Sequence, residues 1–308
     1  MENKLIISSS PHVVSSVTTQ KIMLDVLIAL LPAAVAGCII FGLRALAVII
    51  VCVAVCVLAE FLFNLAVKKE QTIDDLSAAV TGLILALNLP ANVPLWQAAV
   101  GSIFAIIIVK CVFGGLGCNL VNPAATARVF MIVAFSSMAT SAFPVDTVAT
   151  ATPIIMLQNG ETPNLLEMFL GNIGGCIGET SKLALIIGGV YLIVKKVISW
   201  HIPVTFILTV FVLSFVIDGF SFENALYWVL SGGLMLGAFF MATDYVTSPD
   251  SEWGKVIFGV GAGLLTVLIR FYGIYPEGVS FAILIMNVIN PYIEKLTARK
   301  MFGGGKGA

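Results

Sequence analysis

A threonine-rich segment, residues 146–153, carries the most distinctive side-chain chemistry of this 308-residue chain. It lies in a polar stretch, 141–181, that separates two long apolar regions. Alanines on either side of Thr150 and before Thr152 leave both hydroxyls sterically open, and Pro153 biases Thr152 away from helical backbone. An open threonine hydroxyl suits covalent modification, whereas composition alone favours an ordinary external loop.

Three charged residues interrupt or border apolar runs and are candidates for polar sites within a membrane: Arg128, Asp244 and Glu60. A central arginine costs about 2.5–3.5 kcal/mol in a membrane, so Arg128 either contacts an anion or carbonyl or extends to the headgroups. Asp244 and Glu60 are candidates to bind a cation or pair with another chain. The alternative for both carboxylates is a solvated helix end.

Other patterns of catalysis are missing from the sequence. Histidines occur only at positions 12 and 201, which excludes a Ser-His-Asp arrangement, and the six cysteines contain no C-x-x-C pair. Glycines at 171, 174, 175 and 178 lack the strand-turn-helix context of a nucleotide loop and favour close helix packing. We therefore predict no catalytic residue and no metal site.

Composition indicates an integral membrane protein. Hydrophobic residues make up 59% of the chain and charged residues 11%, with a mean hydropathy of +1.06. Soluble domains carry about 25% charged residues. The net charge of −1 argues against a nucleic-acid partner.

Ten apolar runs predict about ten transmembrane helices, five on each side of the polar stretch. The run at 77–89 is too short to cross comfortably and is either tilted or broken. The predicted spans are 23–41, 45–67, 77–89, 95–113, 124–142, 183–197, 203–217, 225–243, 256–272 and 279–293.

Charge asymmetry predicts the orientation. With both termini cytoplasmic, twelve of the sixteen lysines and arginines fall in inner segments and three in outer ones. Five spans per half then place the second half in the opposite orientation, as an inverted repeat. The predicted organisation is a first repeat at about 23–142, an external loop at 143–181, a second repeat at 183–295 and a flexible tail at 296–308.

Three segments carry a family resemblance: Ser10-Pro11-His12, residues 21–33 and the Gly-Asn-Pro segment 114–123. With the threonine-rich segment, they make the chain resemble the D-subunit family of the Rnf complex, which is related to the B-subunit of the sodium-translocating NADH:quinone reductase. The resemblance extends from about residue 8 to residue 295. It implies an all-α fold of ten spans in a 5+5 inverted repeat, similar to urea transporters.

The resemblance also implies a covalent flavin. In this family a flavin transferase joins FMN through its phosphate to the last threonine of a Ser/Thr-Gly-Ala-Thr motif, which places the attachment at Thr152. Thr150 stands where the motif usually has glycine and is a rival acceptor; Asp146 and Pro153 flank the site. Relatives further suggest a noncovalent riboflavin, for which candidate lining residues here are Asn122, Gly115 and Gly117.

The function implied is that of a flavin-carrying membrane subunit of a ferredoxin:NAD oxidoreductase complex that moves Na⁺ or H⁺. Because the chain lacks nucleotide and cluster motifs, it is expected to act only with other Rnf subunits that carry flavins and iron–sulfur centres. The expected location is a bacterial cell membrane, with lipid around the spans and the flavin loop outside. The alternatives are a channel or transporter for a small polar solute and a structural scaffold.

Overall fold

The computed structural model of the chain describes residues 17–135, 152–273 and 278–298. Helices occur at all ten predicted apolar runs, and two further short helices lie in the part of the polar stretch that the structure describes, 152–181. The helices are α1 Thr19–Phe41, α2 Leu43–Val67, α3 Ser77–Leu87, α4 Leu95–Cys111, α5 Pro123–Ala134, α6 Pro153–Gln158, α7 Leu165–Leu170, α8 Lys182–Val194, α9 His201–Ile217, α10 Phe222–Leu230, α11 Leu234–Met241, α12 Glu252–Tyr272 and α13 Val279–Thr297.

Within the described residues, length and apolar composition identify four helices that are able to cross a membrane: α1, α2, α12 and α13. The bent pair α10 and α11 makes a fifth if it counts as one span. The other predicted spans correspond to apolar helices of 10–17 residues. The structure therefore agrees with an all-α membrane protein, and it identifies fewer crossings by length than the ten apolar runs predict.

A short helix, a break and a long helix follow one another twice along the chain. In the first half α3 ends before the turn containing Pro90, and α4 follows; in the second half α11 ends before the loop containing Pro249, and α12 follows. Proline lacks a backbone N–H and disfavours helix in the preceding residue, so each proline helps to keep its break open. Helix α2 packs on α3 and α4, α9 packs on α12, and α1 packs on α8 across the two halves.

The predicted continuous span 225–243 is wrong. Helix α10 ends at Leu230, Gly232 has a φ of 59°, and the chain resumes as α11 after a bend of 66°. Left-handed backbone at a glycine interrupts the helical hydrogen bonds, but the flanking residues are apolar. Hydropathy therefore continues across the break although the helix does not.

The polar stretch is not simply an external loop. Its last part, 176–180, is buried, and two of its amides bond to carbonyls at the end of α3: Ile177 N to Leu89 O at 3.0 Å and Gly178 N to Leu87 O at 2.8 Å. A Cβ on Gly178 would lie 2.5 Å from the Leu87 side chain. The stretch thus covers the end of a short helix whose carbonyls would otherwise lack partners.

Three basic residues that the charge comparison counted at the inner or outer side are buried: Lys110, Lys182 and Arg270, each at most 1% exposed. Removing them from the charge comparison leaves eleven basic residues on the predicted inner side and Arg44 on the outer side. The predicted asymmetry therefore becomes sharper. Helix α13 continues to Thr297, so the predicted C-terminal tail begins within a helix.

Candidate functional site

A cavity of about 90 Å³ lies between the two halves of the molecule. Its wall combines the aromatic rings of Phe239 and Phe240 with polar side chains from α3, from the end of α4, from the 112–122 loop and from the segment after α11. Leu116 and Tyr245 line the cavity and are also exposed, at 37% and 51%, so the cavity reaches the surface. The polar lining residues are Ser77, Thr81, Lys110, Asn119, Asn122, Thr243 and Asp244.

Asn122, predicted from the sequence as a cofactor residue, lines this cavity and also joins the two halves. Its Oδ1 accepts a hydrogen bond from Ala125 N at 3.1 Å and caps α5, while its Nδ2 donates to Met241 O at 3.1 Å. Asn287, in the amide orientation that matches donors with acceptors, accepts from Asn122 N at 3.0 Å. Asn122 therefore fixes one end of the cavity.

Gly115 and Gly117, the other two predicted lining residues, are not in the cavity wall. They have φ angles of 103° and 88°, and a Cβ on either would meet nothing within 4 Å. Their role in the structure is to turn the loop so that Leu116, between them, reaches the cavity. We call residues 114–118 the flap.

Asn119 is a cavity residue that the sequence analysis missed. Its side chain is 9% exposed, and its Oδ1 is buried with no hydrogen-bond partner. A buried acceptor without a donor costs about 1–3 kcal/mol, so its position in a cavity wall suits a ligand that donates an N–H or O–H. Its position three residues before Asn122, in the glycine-rich loop, is the one signal that pointed to it.

Glu60, predicted as a polar membrane candidate, forms a buried ion pair with Lys110. The lysine Nζ lies 2.8 Å from both Glu60 oxygens and 2.6 Å from Ser77 Oγ. Both charged side chains are at most 2% exposed. The solvated helix end considered for Glu60 is therefore wrong, and the pair ties α2 to α4 and to the start of α3.

Asp244 lies in the loop after α11 and also lines the cavity. Thr247 Oγ1 donates to its Oδ2 at 3.2 Å, and its backbone carbonyl accepts from the amide of Ser248 at 3.1 Å. Burial raises the pKa of the Asp244 carboxyl, an effect that hydrogen bonds from Thr247 and from the Val246 backbone reduce. The raised pKa favours the neutral carboxyl in the folded protein.

Replacing Asp244 by asparagine is expected to stabilise the protein at neutral pH. With a folded-state pKa above the unfolded value, the stability that Asp244 contributes is present at low pH and is lost as pH rises through the folded pKa. Asparagine stays neutral throughout, so the Tm of the variant should exceed that of wild type at pH ~7 and match it near pH ~4. Thermal unfolding in detergent across this range measures the difference; a lower Tm for Asp244→Asn at neutral pH contradicts the prediction.

Thr152, the predicted attachment residue, lies at the N-cap position of α6 with φ −63° and ψ 153°. This extended backbone confirms the effect predicted for Pro153, which begins the helix. The Thr152 side chain makes no capping hydrogen bond, so its hydroxyl is not committed to the helix. Thr150 and Asp146 lie outside the residues that the structure describes.

Helix α6 holds Thr152 close to the break between α10 and α11. Ile154, buried at 2% exposure, packs against Gly232: a Cβ on this glycine would lie 2.7 Å from Ile154 Cδ1 and 3.1 Å from Arg270 Nη2. The same glycine needs its positive φ for the break. A substitution at Gly232 would therefore disturb the break and the packing of α6 together.

Two buried cations satisfy the backbone at this break. Arg270 donates to Trp228 O at 2.7 Å and to Ser231 O at 3.0 Å, and Lys182 donates to Gly232 O at 2.9 Å and to Glu179 O. Carbonyls at a helix C-terminus carry partial negative charge and need donors within a membrane protein. The cations therefore stabilise the irregular backbone on which α6 rests.

Arg128 contacts an anion, as one of the two alternatives from the sequence predicted. Its Nη2 lies 3.5 Å from Glu179 Oε1, and its Nη1 donates to Cys176 Sγ at 3.1 Å. Only 3% of the residue is exposed, so extension to the headgroups is wrong. Glu179 was not predicted as the partner of Arg128, because it lies in the polar stretch, where a carboxylate gives no signal of burial.

Comparison with protein families gives a match over nearly the whole chain. The family model described as "NQR2, RnfD, RnfE family" matches residues 6–303. This range includes the cavity, the flap, Thr152 and the buried ion pairs.

Individual relatives match at full length. The chain is 47% identical to the D-subunit of the Na⁺-translocating ferredoxin:NAD⁺ oxidoreductase complex of Acetobacterium woodii, covering 98% of this chain and 96% of the relative. It is 44% identical to the D-subunit of the proton-translocating ferredoxin:NAD⁺ oxidoreductase complex of Clostridium ljungdahlii, covering 98% and 97%. It is 35% identical to the D-subunit of the ion-translocating oxidoreductase complex of Pectobacterium atrosepticum, covering 96% and 98%.

Proposed function

The chain belongs to the NQR2, RnfD, RnfE family, and we propose that it is the flavin-carrying membrane subunit of an ion-translocating ferredoxin:NAD⁺ oxidoreductase complex. The names of its full-length relatives support this assignment, since each is the D-subunit of an ion-translocating oxidoreductase complex. The other subunits of that complex are its proposed partners.

The observation that carries the flavin proposal is the uncommitted hydroxyl of Thr152. In the proposed modification the Thr152 oxygen attacks the flavin-side phosphorus of a flavin dinucleotide supplied to the transferase. The bond from this oxygen to phosphorus forms, the pyrophosphate P–O bond breaks, the other nucleotide leaves as its monophosphate, and the hydroxyl proton passes to solvent. The residue fits this role because its side chain makes no capping bond and its backbone is fixed by Pro153 and by the packing of Ile154. When attached, FMN would supply electron transfer; the protein supplies position and charge.

The cavity between the halves is the proposed site of a second, noncovalent flavin. Asn119 Oδ1 offers an acceptor for a ring N–H, and Phe239 and Phe240 offer apolar surface, so the lining chemistry fits. At about 90 Å³ the cavity is smaller than the roughly 300–1,000 Å³ of typical ligand pockets. Binding of a flavin therefore requires the flap to move Leu116 out of the wall, and the glycines at both its sides allow that movement.

The proposed topology is ten spans in an inverted repeat with cytoplasmic termini and Thr152 on the outer side. The repeated order of short helix, break and long helix supports the repeat, and the sharpened asymmetry of basic residues supports the orientation. Cavity residues come from the ends of α1, α4 and α8 that this topology places at the cytoplasmic side.

A solute channel without a redox role is the less well supported alternative. A channel between the halves needs a continuous path, but Asn122 bonds to Met241 O at the inner end of the interface. Farther along, the buried cations Lys182 and Arg270 occupy the carbonyls at the helix break. The residues of the break are therefore engaged with the protein itself.

Mass spectrometry of the intact protein tests the flavin proposal. Protein purified after co-expression with a flavin transferase is expected to carry the added mass of one FMN, and peptide fragmentation should assign it to Thr152. Protein expressed without the transferase is the control and should have the mass of the unmodified chain. Unmodified mass in both samples would contradict the covalent flavin and favour the channel.

A further inference from the structure

Lys110 occupies a position in the cavity that the proposed function does not yet use. It lies in the last, π-helical part of α4, and its ammonium donates to both Glu60 oxygens and to Ser77 Oγ. These three bonds use all three of its N–H groups. The ammonium is therefore held in one place rather than free to follow a ligand.

The ion pair is oriented with respect to the cavity. Lys110 and Ser77 line the cavity, whereas Glu60 does not. Glu60 is held on its far side by Thr72, which donates to its Oε1 at 2.8 Å and in turn accepts from Asn64 at 3.0 Å. The pair thus presents its positive end to the cavity and its negative end to the loop between α2 and α3.

Stability alone gives a weak reason for such a pair. Replacing a buried ion pair by packed neutral residues is often neutral or stabilising, because burial of two charges costs as much as their attraction returns. Helices α2, α3 and α4 already share apolar contacts around Cys56, Ala59, Ala78 and Ile106. The orientation of the pair toward a cavity is the feature that needs a functional account.

We infer that Lys110, positioned by Glu60, makes reduction of a flavin in this cavity more favourable. The inference rests on the proposed second flavin and names a residue that tunes it. Reduction adds negative charge to the ring, and a fixed positive end in a site of low dielectric stabilises that charge. Other charged or titratable groups near the pair are Asp75, which accepts from Ser77, together with Cys56, Cys111 and Lys69; Asp244 lines the same cavity.

The test uses the full-length Thr152→Val chain, which should lack covalent FMN, reconstituted with riboflavin. The parent chain for this test carries Thr152→Val and keeps Glu60 and Lys110. It is compared with the double variant Glu60→Gln/Lys110→Met in the same background, by a redox titration followed by absorbance. At a fixed potential the ratio of reduced to oxidised flavin is expected to fall about tenfold in the double variant, or about 30 mV for a two-electron couple. Lys68→Met removes a lysine charge that is exposed at the end of α2 and lies outside the cavity wall; it should leave the ratio within about twofold, because water and salt screen an exposed charge.

A second variant gives a change of opposite sign. Glu60→Gln alone keeps Lys110 bonded to Ser77 and to the glutamine carbonyl, but removes the negative end of the pair. The ratio of reduced to oxidised flavin should rise above that of the parent chain, because the positive charge of Lys110 is no longer offset by a carboxylate. This variant keeps the inference testable if the double variant does not fold.

The outcomes separate the two proposals. If riboflavin binds and the ratio is the same in parent, double variant and Glu60→Gln, the role of Lys110 is wrong while the cavity flavin stands. If the parent chain binds no riboflavin, the cavity flavin is wrong and the role of Lys110 is wrong with it. A ratio that rises in the double variant or falls in Glu60→Gln also contradicts the inference.

Discussion

Replacing Thr152 by valine is expected to remove essentially all covalent flavin from this protein. Valine keeps the size and β-branching of threonine but has no hydroxyl, so no phosphoester forms. Because Thr152 makes no capping bond to α6, losing the hydroxyl should not disturb the helix that follows. In-gel fluorescence of the denatured protein under ultraviolet light, after co-expression with a flavin transferase, measures the loss.

Two matched variants make this result specific. Thr150→Val changes the rival hydroxyl, two residues earlier, and should keep the fluorescence of the wild-type band. Thr162→Val changes an exposed threonine later in the same polar stretch and should also keep it. A fluorescent Thr152→Val band, together with a dark Thr150→Val band, would move the attachment point to Thr150.

Removing the charge of Lys110 alone is expected to destabilise the protein by about 3–5 kcal/mol. In Lys110→Met the Glu60 carboxylate stays buried at 2% exposure and keeps Thr72 as its partner but loses its countercharge. The double variant Glu60→Gln/Lys110→Met has no buried charge at this position and should recover most of the loss. Thermal unfolding of the purified chain in detergent measures both, with Lys69→Met as a control at an exposed lysine of the same region.

The comparison of single and double variants isolates the ion pair. If the loss of stability in the double variant equals the sum of the losses measured for Lys110→Met and for Glu60→Gln alone, the residues act independently, which contradicts the pairing. If Lys110→Met is as stable as Lys69→Met, the pair contributes nothing and the account of its burial is wrong. Recovery in the double variant also supplies the folded protein on which the redox titration depends.

The positions of the helices were largely predictable because hydropathy is a local property. Each of the ten apolar runs contains a helix, and the short run at 77–89, predicted to be tilted or broken, is an eleven-residue helix followed by a turn. The failure at 225–243 has the same origin. Leu230, Leu234 and their neighbours are apolar on both sides of the break. Hydropathy depends only on the side chains, so it does not reveal that the backbone turns at Gly232.

Charges were predicted less well, since their environment depends on distant residues. Lys110 follows a long apolar run, which is typical of a lysine at the cytoplasmic end of a span. Its buried position depends on Glu60, fifty residues earlier in α2. Lys182 and Arg270 were likewise counted on the outer side, because the carbonyls that they satisfy belong to a break that the sequence did not reveal.

By itself the sequence determined that this is a helical membrane protein, that it resembles the D-subunit family of the Rnf complex, and that Thr152 has extended backbone before Pro153. These properties follow from side-chain hydrophobicity, from short motifs and from the covalent geometry of proline, all of which act within a few residues. Only the tertiary structure decided that Lys110 faces a cavity with Glu60 behind it, that Asn119 Oδ1 lacks a donor, and that α6 rests on the broken helix. Each of these features depends on which helices pack together. In the low dielectric of the protein interior, the partner that a neighbouring helix supplies determines whether a buried polar group is charged, paired or available to a ligand.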